Sequence, residues 1–173
     1  PKPGVVLPRI QSIASKLWTL YVIFTIICFI MLCLGGIDPF DALNYAFSII
    51  ATGGLTPTTA GTFLYSQNTY ICVVFILFMV IAGGNFAVYY NVIQKGFSAL
   101  FSDFETRMYW LVLVIGILIT FISLYFQSNS MDIGQVFQDA AFTLVSIQTG
   151  SGFAVSDYDL WPAAAQMMLF IAS

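Results

Sequence analysis

The sequence contains no histidine, and only 8% of its 173 residues are charged. Without histidine there is no His-based zinc site, no Ser-His catalytic pair and no histidine proton relay. Soluble domains carry roughly 25% charged residues, so the scarcity of charge excludes an ordinary soluble domain. With 60% hydrophobic residues, the composition indicates a membrane protein.

Cysteine is also scarce. Cys28, Cys33 and Cys72 all lie inside apolar runs, and no CxxC or Cys/His spacing is present. We therefore expect these thiols to act as small buried hydrophobic groups, without disulfides or bound metal. No cofactor motif accompanies the many aromatic residues, and we predict no covalent cofactor.

Long apolar runs, in contrast, are abundant. Three runs reach the roughly 20 residues that cross a bilayer: Leu17–Leu34, Tyr70 to about Ile93, and Met108–Phe126. A fourth begins at Trp161. Because no small-residue cleavage site follows the first run, we expect no signal peptide. The abrupt start and the unfinished fourth run favour a fragment of a longer protein.

The charges are segregated along the chain. The basic residues lie before the first run or between the second and third: Lys2, Arg9, Lys16, Lys95 and Arg107. Most acidic residues lie on the other side of the predicted spans: Asp38, Asp41, Asp132, Asp139, Asp157 and Asp159. The positive-inside rule makes the basic side cytoplasmic. The acidic outer face suits cations and offers nothing to nucleic acid.

A short helix is predicted between the first two runs, in "DPFDALNYAFSIIATGGLTP". Asp38 is a candidate N-cap, Pro39 stands at the first helical position and Asp41 follows in the first turn. Gly53 and Gly54 end the helix after about a dozen residues, which is too short to span and favours a re-entrant segment.

The same pattern returns before the fourth run. Asp132 and Gln135 have the spacing of a capping box, and the segment 149–152 ends the second short helix. An offset of 98 positions aligns Gly54 with Gly152 and gives four further identities nearby. The repeating unit is therefore a span, a re-entrant helix, a threonine/glycine turn and a second span.

The glycine turns suggest an ion path. Irregular backbone at membrane depth must be buried in protein or line a watery cavity. Glycine adopts positive φ freely, so successive carbonyl oxygens can point toward one axis and replace the water shell of potassium. The C-terminus of each short helix adds a partial negative charge that favours a cation. Singly, each turn would read as a plain helix C-cap.

At these residues the sequence resembles the Trk/Ktr superfamily of potassium uptake proteins, and more closely the bacterial Trk-type membrane subunit. The resemblance covers essentially the whole chain. It is carried by "FDALNYAFSIIATGGLTP", by "FQDAAFTLVSIQTGSGFAVSDYDLWP", and by the linking stretches "IAGGNFAVYY" and "DFETRMYW".

The resemblance implies an all-α membrane protein, a potassium-channel-like pore of four span, pore-helix, span repeats in one chain. Residues 17–93 and 108–173 would be two of these repeats, flanked by a cytoplasmic N-terminal segment 1–16 and a cytoplasmic linker 94–107. The parent protein would be a multi-pass protein of the bacterial inner membrane, with filter loops facing outside. A homodimer and a cytoplasmic nucleotide-binding regulatory subunit are also implied.

The resemblance assigns the filter residue by residue. The first filter would comprise Thr52, Gly53, Gly54 and Leu55, and the second Thr149, Gly150, Ser151, Gly152 and Phe153. The carbonyl oxygens of Thr52, Gly53, Gly150 and Ser151 would bind the transported potassium ion. Family members often have phenylalanine at the position of Leu55 and a threonine run at Gly150-Ser151. These departures affect the expected ion selectivity more than the expected passage of ions.

Two other readings remain. Two repeats per chain could form a four-repeat channel by homodimerisation. Alternatively, Asp157 and Asp159 could serve a membrane-embedded hydrolase, although the sequence offers no partner base or metal ligand. Gly83, Gly84 and Asn85 favour close helix packing over ion contact.

Overall fold

The computed structural model describes residues 3–86, 88–89, 92, 96, 104–127 and 132–172 of the chain. Within these ranges it is all helical, with short 3-10 turns at Gly61–Tyr65 and Tyr158–Leu160. The α-helices are α1 (Pro3–Leu34), α2 (Pro39–Ile50), α3 (Thr69–Gly83), α4 (Phe104–Gln127), α5 (Ile133–Gln148) and α6 (Ala163–Ala172).

The two long helices, α1 and α4, contain segments suited to a bilayer. Ala14–Leu34 and Phe104–Phe126 are long and apolar enough to cross a membrane. Only 22% and 17% of their most apolar stretches are buried inside the protein, unlike the core helices of a soluble domain. Most of their apolar side chains therefore face outward, where lipid would cover them.

The first short helix, α2, forms as its sequence predicts. Asp38 is the N-cap and its Oδ1 accepts a hydrogen bond of 3.0 Å from the Phe40 N–H, while Pro39 occupies the first turn. One face of α2, including Tyr45 and Ile49, is fully buried. The helix is therefore fixed by its cap at one end and by burial along its length.

The second short helix, α5, begins differently from the prediction. Asp132 is the N-cap residue, but its side chain makes no capping hydrogen bond, so the predicted capping box is wrong. The Gln135 amide instead donates to the Ser66 carbonyl oxygen at 3.3 Å and to Asp139 Oδ1 at 3.1 Å. The Gln135 side chain is thus held by the loop before α3 and by Asp139.

Helix α3 lies between the two short helices and supplies the centre of the core. Phe75 stacks edge-on to Tyr45 of α2, with ring centroids 5.3 Å apart, and it also lies 5.9 Å from Phe142 of α5. Cys28 and Cys72 are buried, Cys33 is half-buried, and all three are free thiols in the structure. This core joins both halves of the chain.

Helix α3 ends earlier than the apolar run suggests. It stops at Gly83, and Gly84 is extended with ψ 169°. The chain is helical again at Phe86, Val88, Tyr89 and Val92, so the predicted span to about Ile93 is interrupted at residues 84 and 85. The Tyr89 hydroxyl donates to the Ile81 carbonyl oxygen at 2.9 Å and satisfies one of the last carbonyls of the helix. Most of the predicted linker 94–107 lies outside the described residues.

Candidate functional site

The turns that follow α2 and α5 share two backbone hydrogen bonds at an offset of 98 positions. In the first turn, the Thr52 N–H donates to Ile49 O at 3.0 Å and the Gly53 N–H to Ser48 O at 2.7 Å. The equivalent bonds of the second turn run from Gly150 to Ile147 and from Ser151 to Ser146, at 3.0 and 2.8 Å. The repeat predicted from five identities is therefore also a repeat of backbone structure.

The backbone dihedral angles repeat as well. Gly54 and Gly152 have φ of 64° and 73°, and the preceding equivalent pair, Thr52 and Gly150, has φ of 50° and 70°. A β-branched residue with positive φ is rare, so Thr52 is held in a strained conformation. Both turns therefore alternate left-handed residues with ordinary ones.

The two turns meet each other. A Cβ built on Gly54 would lie 2.5 Å from the Ser151 carbonyl oxygen, and one built on Gly152 would lie 3.9 Å from Gly54 Cα. Residues 98 positions apart in the sequence thus come into contact at the C-terminal ends of α2 and α5. The negative ends of both helix dipoles therefore lie near this contact, which favours a cation there.

The residues after the two glycines have different surroundings. Phe153 is 3% exposed and packs edge-on to Phe75 with ring centroids 5.3 Å apart, and it also contacts Tyr45. Leu55, its equivalent in the first turn, is 76% exposed. The second turn is therefore anchored in the aromatic core of the first repeat, whereas the described residues offer Leu55 no such core.

Hydrogen bonds tie the segment after the first turn to the rest of the site. Thr62 Oγ1 donates to the Ala154 carbonyl oxygen, just beyond the second turn. The Tyr45 hydroxyl donates to the Gly61 carbonyl oxygen at 3.3 Å, and the Gln138 amide donates to Ser66 O at 2.7 Å. These bonds fasten the loop to α2, to α5 and to the segment just after the second turn, and the sequence pattern did not predict them.

Asp139, the seventh residue of α5, is partly buried beside Gln135. Burial raises the pKa of its carboxyl group, and the hydrogen bond from Gln135 partly opposes that shift. Among the residues that the structure describes, no three Cys, Asp or Glu side chains gather into a metal site. The site therefore offers a cation backbone oxygens and helix ends.

All nine predicted filter residues lie in the two turns that the structure brings together. Gly83, which the sequence pattern assigned to helix packing, contacts the second turn at Thr149. The side chain of Asp159 lies outside the described residues, so its pairing with Asp157 stays a prediction. The roles of individual carbonyl groups also stay predictions.

Comparisons with known proteins agree with this architecture. The family model described as TrkH, cation transport protein, matches residues 2–173. The Trk system potassium uptake protein TrkH of Halomonas elongata is 32% identical over 99% of this chain, and that of Escherichia coli K12 is 29% identical over 96%.

A solved structure has the same fold. The crystal structure of the potassium transporter TrkH from Vibrio parahaemolyticus matches 95% of this chain with a TM-score of 0.89 and 28% identity. The chain spans about a third of the length of the relatives that it matches, 36% for the Halomonas protein and for the Vibrio structure. The all-helical fold with repeated re-entrant helices is thus that of a helical membrane transporter, and the chain belongs to the TrkH family of cation transport proteins.

Proposed function

We propose that this chain forms part of a membrane pore that passes potassium ions into the cell through sites lined by backbone carbonyl groups. The observation that carries the proposal is the contact between two turns of matching backbone geometry, at the ends of two re-entrant helices. Carbonyl oxygens can replace the water shell of a potassium ion, and the helix C-termini add favourable potential. The carbonyl groups of Thr52, Gly53, Gly150 and Ser151 would bind the ion.

The choice of potassium rests on the relatives. Several proteins that match nearly the whole chain are named potassium uptake proteins. Those relatives are transporters, which also argues against the hydrolase reading and against an enzyme of any kind. Potassium is here the transported substrate, and we propose no resident cofactor.

Two turns cannot surround an ion, so further repeats must complete the pore. Leu55 and the adjacent Phe47 are exposed, and a groove of about 300 Å³ lies beside them. Phe153 shows how an equivalent residue is covered, by aromatic side chains of the preceding repeat. We infer that another repeat covers Leu55 in the same way. Two chains of two repeats each are the alternative.

The surroundings of the pore follow from charge and family. The basic residues in the N-terminal parts of α1 and α4, with Lys2 before α1, favour a cytoplasmic location for those ends, and both turns would then face the outside of a bacterial inner membrane. A homodimer and a cytoplasmic nucleotide-binding regulatory subunit are proposed from the resemblance alone.

The test is rubidium uptake into liposomes that carry the complete gene product, with sodium present as competitor. Gly152→Ser places a side chain at φ 73° in the second turn. Gly36→Ser is the matched control, because Gly36 also has positive φ but lies outside both turns, with no atom within 4 Å of an added Cβ. Loss of uptake or of preference over sodium in Gly152→Ser alone supports the filter. Equal behaviour of both variants and wild type contradicts it.

A further inference from the structure

Gly83, the last residue of α3, touches the second turn directly. A Cβ built on Gly83 would lie 2.5 Å from Thr149 Cγ2 and 2.7 Å from Thr149 Cβ. These separations are shorter than real Cβ contacts, so any side chain at this position would push α3 and the turn apart. Because Gly83 has no side chain, the C-terminal end of α3 can pack directly against Thr149.

Thr149 in turn holds the next part of the filter. Its Oγ1 lies 2.8 Å from the Val145 carbonyl oxygen and 2.8 Å from Ser151 Oγ. A hydroxyl group has one proton, so Thr149 donates to Val145 O while Ser151 donates to Thr149. Ser151 is only 1% exposed, so water competes little for this bond. The pair of hydroxyl groups thus fastens Ser151 to the end of α5.

Ser151 also contacts the first turn. Its carbonyl oxygen is the nearest atom to a Cβ built on Gly54. A continuous set of contacts therefore runs from Gly83 through Thr149 and Ser151 to Gly54. At the offset of 98 positions, the first turn has Ala51 and Gly53 in place of the threonine and the serine. The first turn therefore lacks this hydroxyl pair.

We propose that Gly83 and Thr149 are positioning residues for the ion filter, and that the contact between them sets the preference for potassium over sodium. The inference rests on the proposed function. Discrimination between the two ions depends on how carbonyl groups are spaced and how firmly they are held. A displaced Thr149 would release Ser151, whose carbonyl group is one of the proposed ion ligands, without removing any ligand from the filter.

The experiment measures rubidium uptake and its inhibition by sodium for the complete gene product in liposomes. Gly83→Ala should lower the preference for rubidium over sodium by about tenfold, equivalent to about 1.4 kcal/mol of differential binding. Thr149→Ser removes the crowded methyl group and keeps the hydroxyl. The double variant Gly83→Ala with Thr149→Ser should therefore recover part of the preference for rubidium over sodium. Thr149→Val keeps the shape and removes the hydroxyl, so it should lose preference in the presence of Gly83.

Gly35→Ala is the matched control. Its Cβ would lie 3.0 Å from Ile71 and Tyr70, which crowds the other end of α3 away from the turns. Folding is checked for each variant by size-exclusion chromatography. The control should keep the wild-type preference, and a tenfold loss there would overturn the proposal, because crowding anywhere on α3 would then suffice.

The remaining outcomes separate this inference from the proposed function. If Gly83→Ala folds and keeps the wild-type preference, the positioning role is overturned while transport stands. If Gly83→Ala does not fold, Thr149→Val decides, and an unchanged preference overturns the proposal. If the wild-type protein takes up no rubidium, the proposed function fails and this inference fails with it.

Discussion

Gly54→Ala tests whether contact between the two turns is required, since this glycine meets two separate constraints. Its φ of 64° is left-handed, which costs an alanine roughly 1–2 kcal/mol. The added Cβ would also lie 2.5 Å from the Ser151 carbonyl oxygen, whereas real Cβ contacts are essentially never shorter than 3.0 Å. The neighbour is backbone in a tight turn and cannot rotate away, so the two turns must separate.

Two other glycines supply controls of graded severity. Gly150→Ala has the same backbone cost, at φ 70°, but the described residues place no atom within 4 Å of its Cβ. Gly152→Ala, at φ 73°, meets only Gly54 Cα, at 3.9 Å. Each of these variants should therefore lose roughly 1–2 kcal/mol of stability from the backbone alone. Only Gly54→Ala adds a steric overlap between the turns.

Two measurements on the complete gene product distinguish the three variants: thermal unfolding, monitored by size-exclusion chromatography, and rubidium uptake. Gly54→Ala should have the lowest midpoint and should lose uptake or its preference over sodium. Gly150→Ala and Gly152→Ala should lie close to each other in stability. If all three variants have the same midpoint, the turns do not press on one another and the contact argument is refuted.

Three further outcomes follow from single residues, each measured by thermal unfolding. Thr52→Gly should raise stability by at most about 1 kcal/mol, because relief of the left-handed strain exceeds the entropy that glycine loses on folding; a lower midpoint would contradict this. Phe153→Ala should lose about 3–5 kcal/mol as a buried aromatic ring, and a loss below 1 kcal/mol would show that the aromatic cluster does not anchor the turn. Burial raises the pKa of Asp139, so wild type should gain stability as the pH falls through that raised pKa toward the unfolded-state value of about 4. Asp139→Asn should lack this gain, and an unchanged pH dependence would place its origin elsewhere.

Sequence reasoning succeeded where the signals were local. Asp38 and Pro39 set the start of α2, and Gly150 takes positive φ just after α5, because caps and positive φ are properties of a few adjacent residues. At the end of α2 the prediction was less accurate, since the helix ends at Ile50 and the left-handed residue after it is Thr52, ahead of the predicted Gly53 and Gly54. The offset of 98 positions also predicted that both turns would have one backbone geometry. The hydrogen bonds of the turns repeat at that offset.

Tertiary contacts explain what local patterns missed. Gln135 has the spacing of a capping box, yet its amide binds the carbonyl oxygen of Ser66, a residue far away in the sequence. The apolar run beyond Gly83 continues, but Gly84 is extended and the helix stops. No periodicity identifies Thr149 as the residue that needs a glycine at position 83. Such contacts depend on how the helices are placed against each other.

The differences between the two turns suggest why non-identical repeats are useful in a pore of this kind. In a pore of identical chains, one substitution changes every filter segment at once. Here Thr52 occupies a strained position where its equivalent is Gly150, while a hydroxyl pair supports only the second turn. A substitution can therefore change how firmly one filter segment is held without changing the other. If the proposed function holds, exchanging Thr52 and Gly150 should leave the set of ion ligands intact and still alter the preference over sodium, because the support behind each carbonyl group would change.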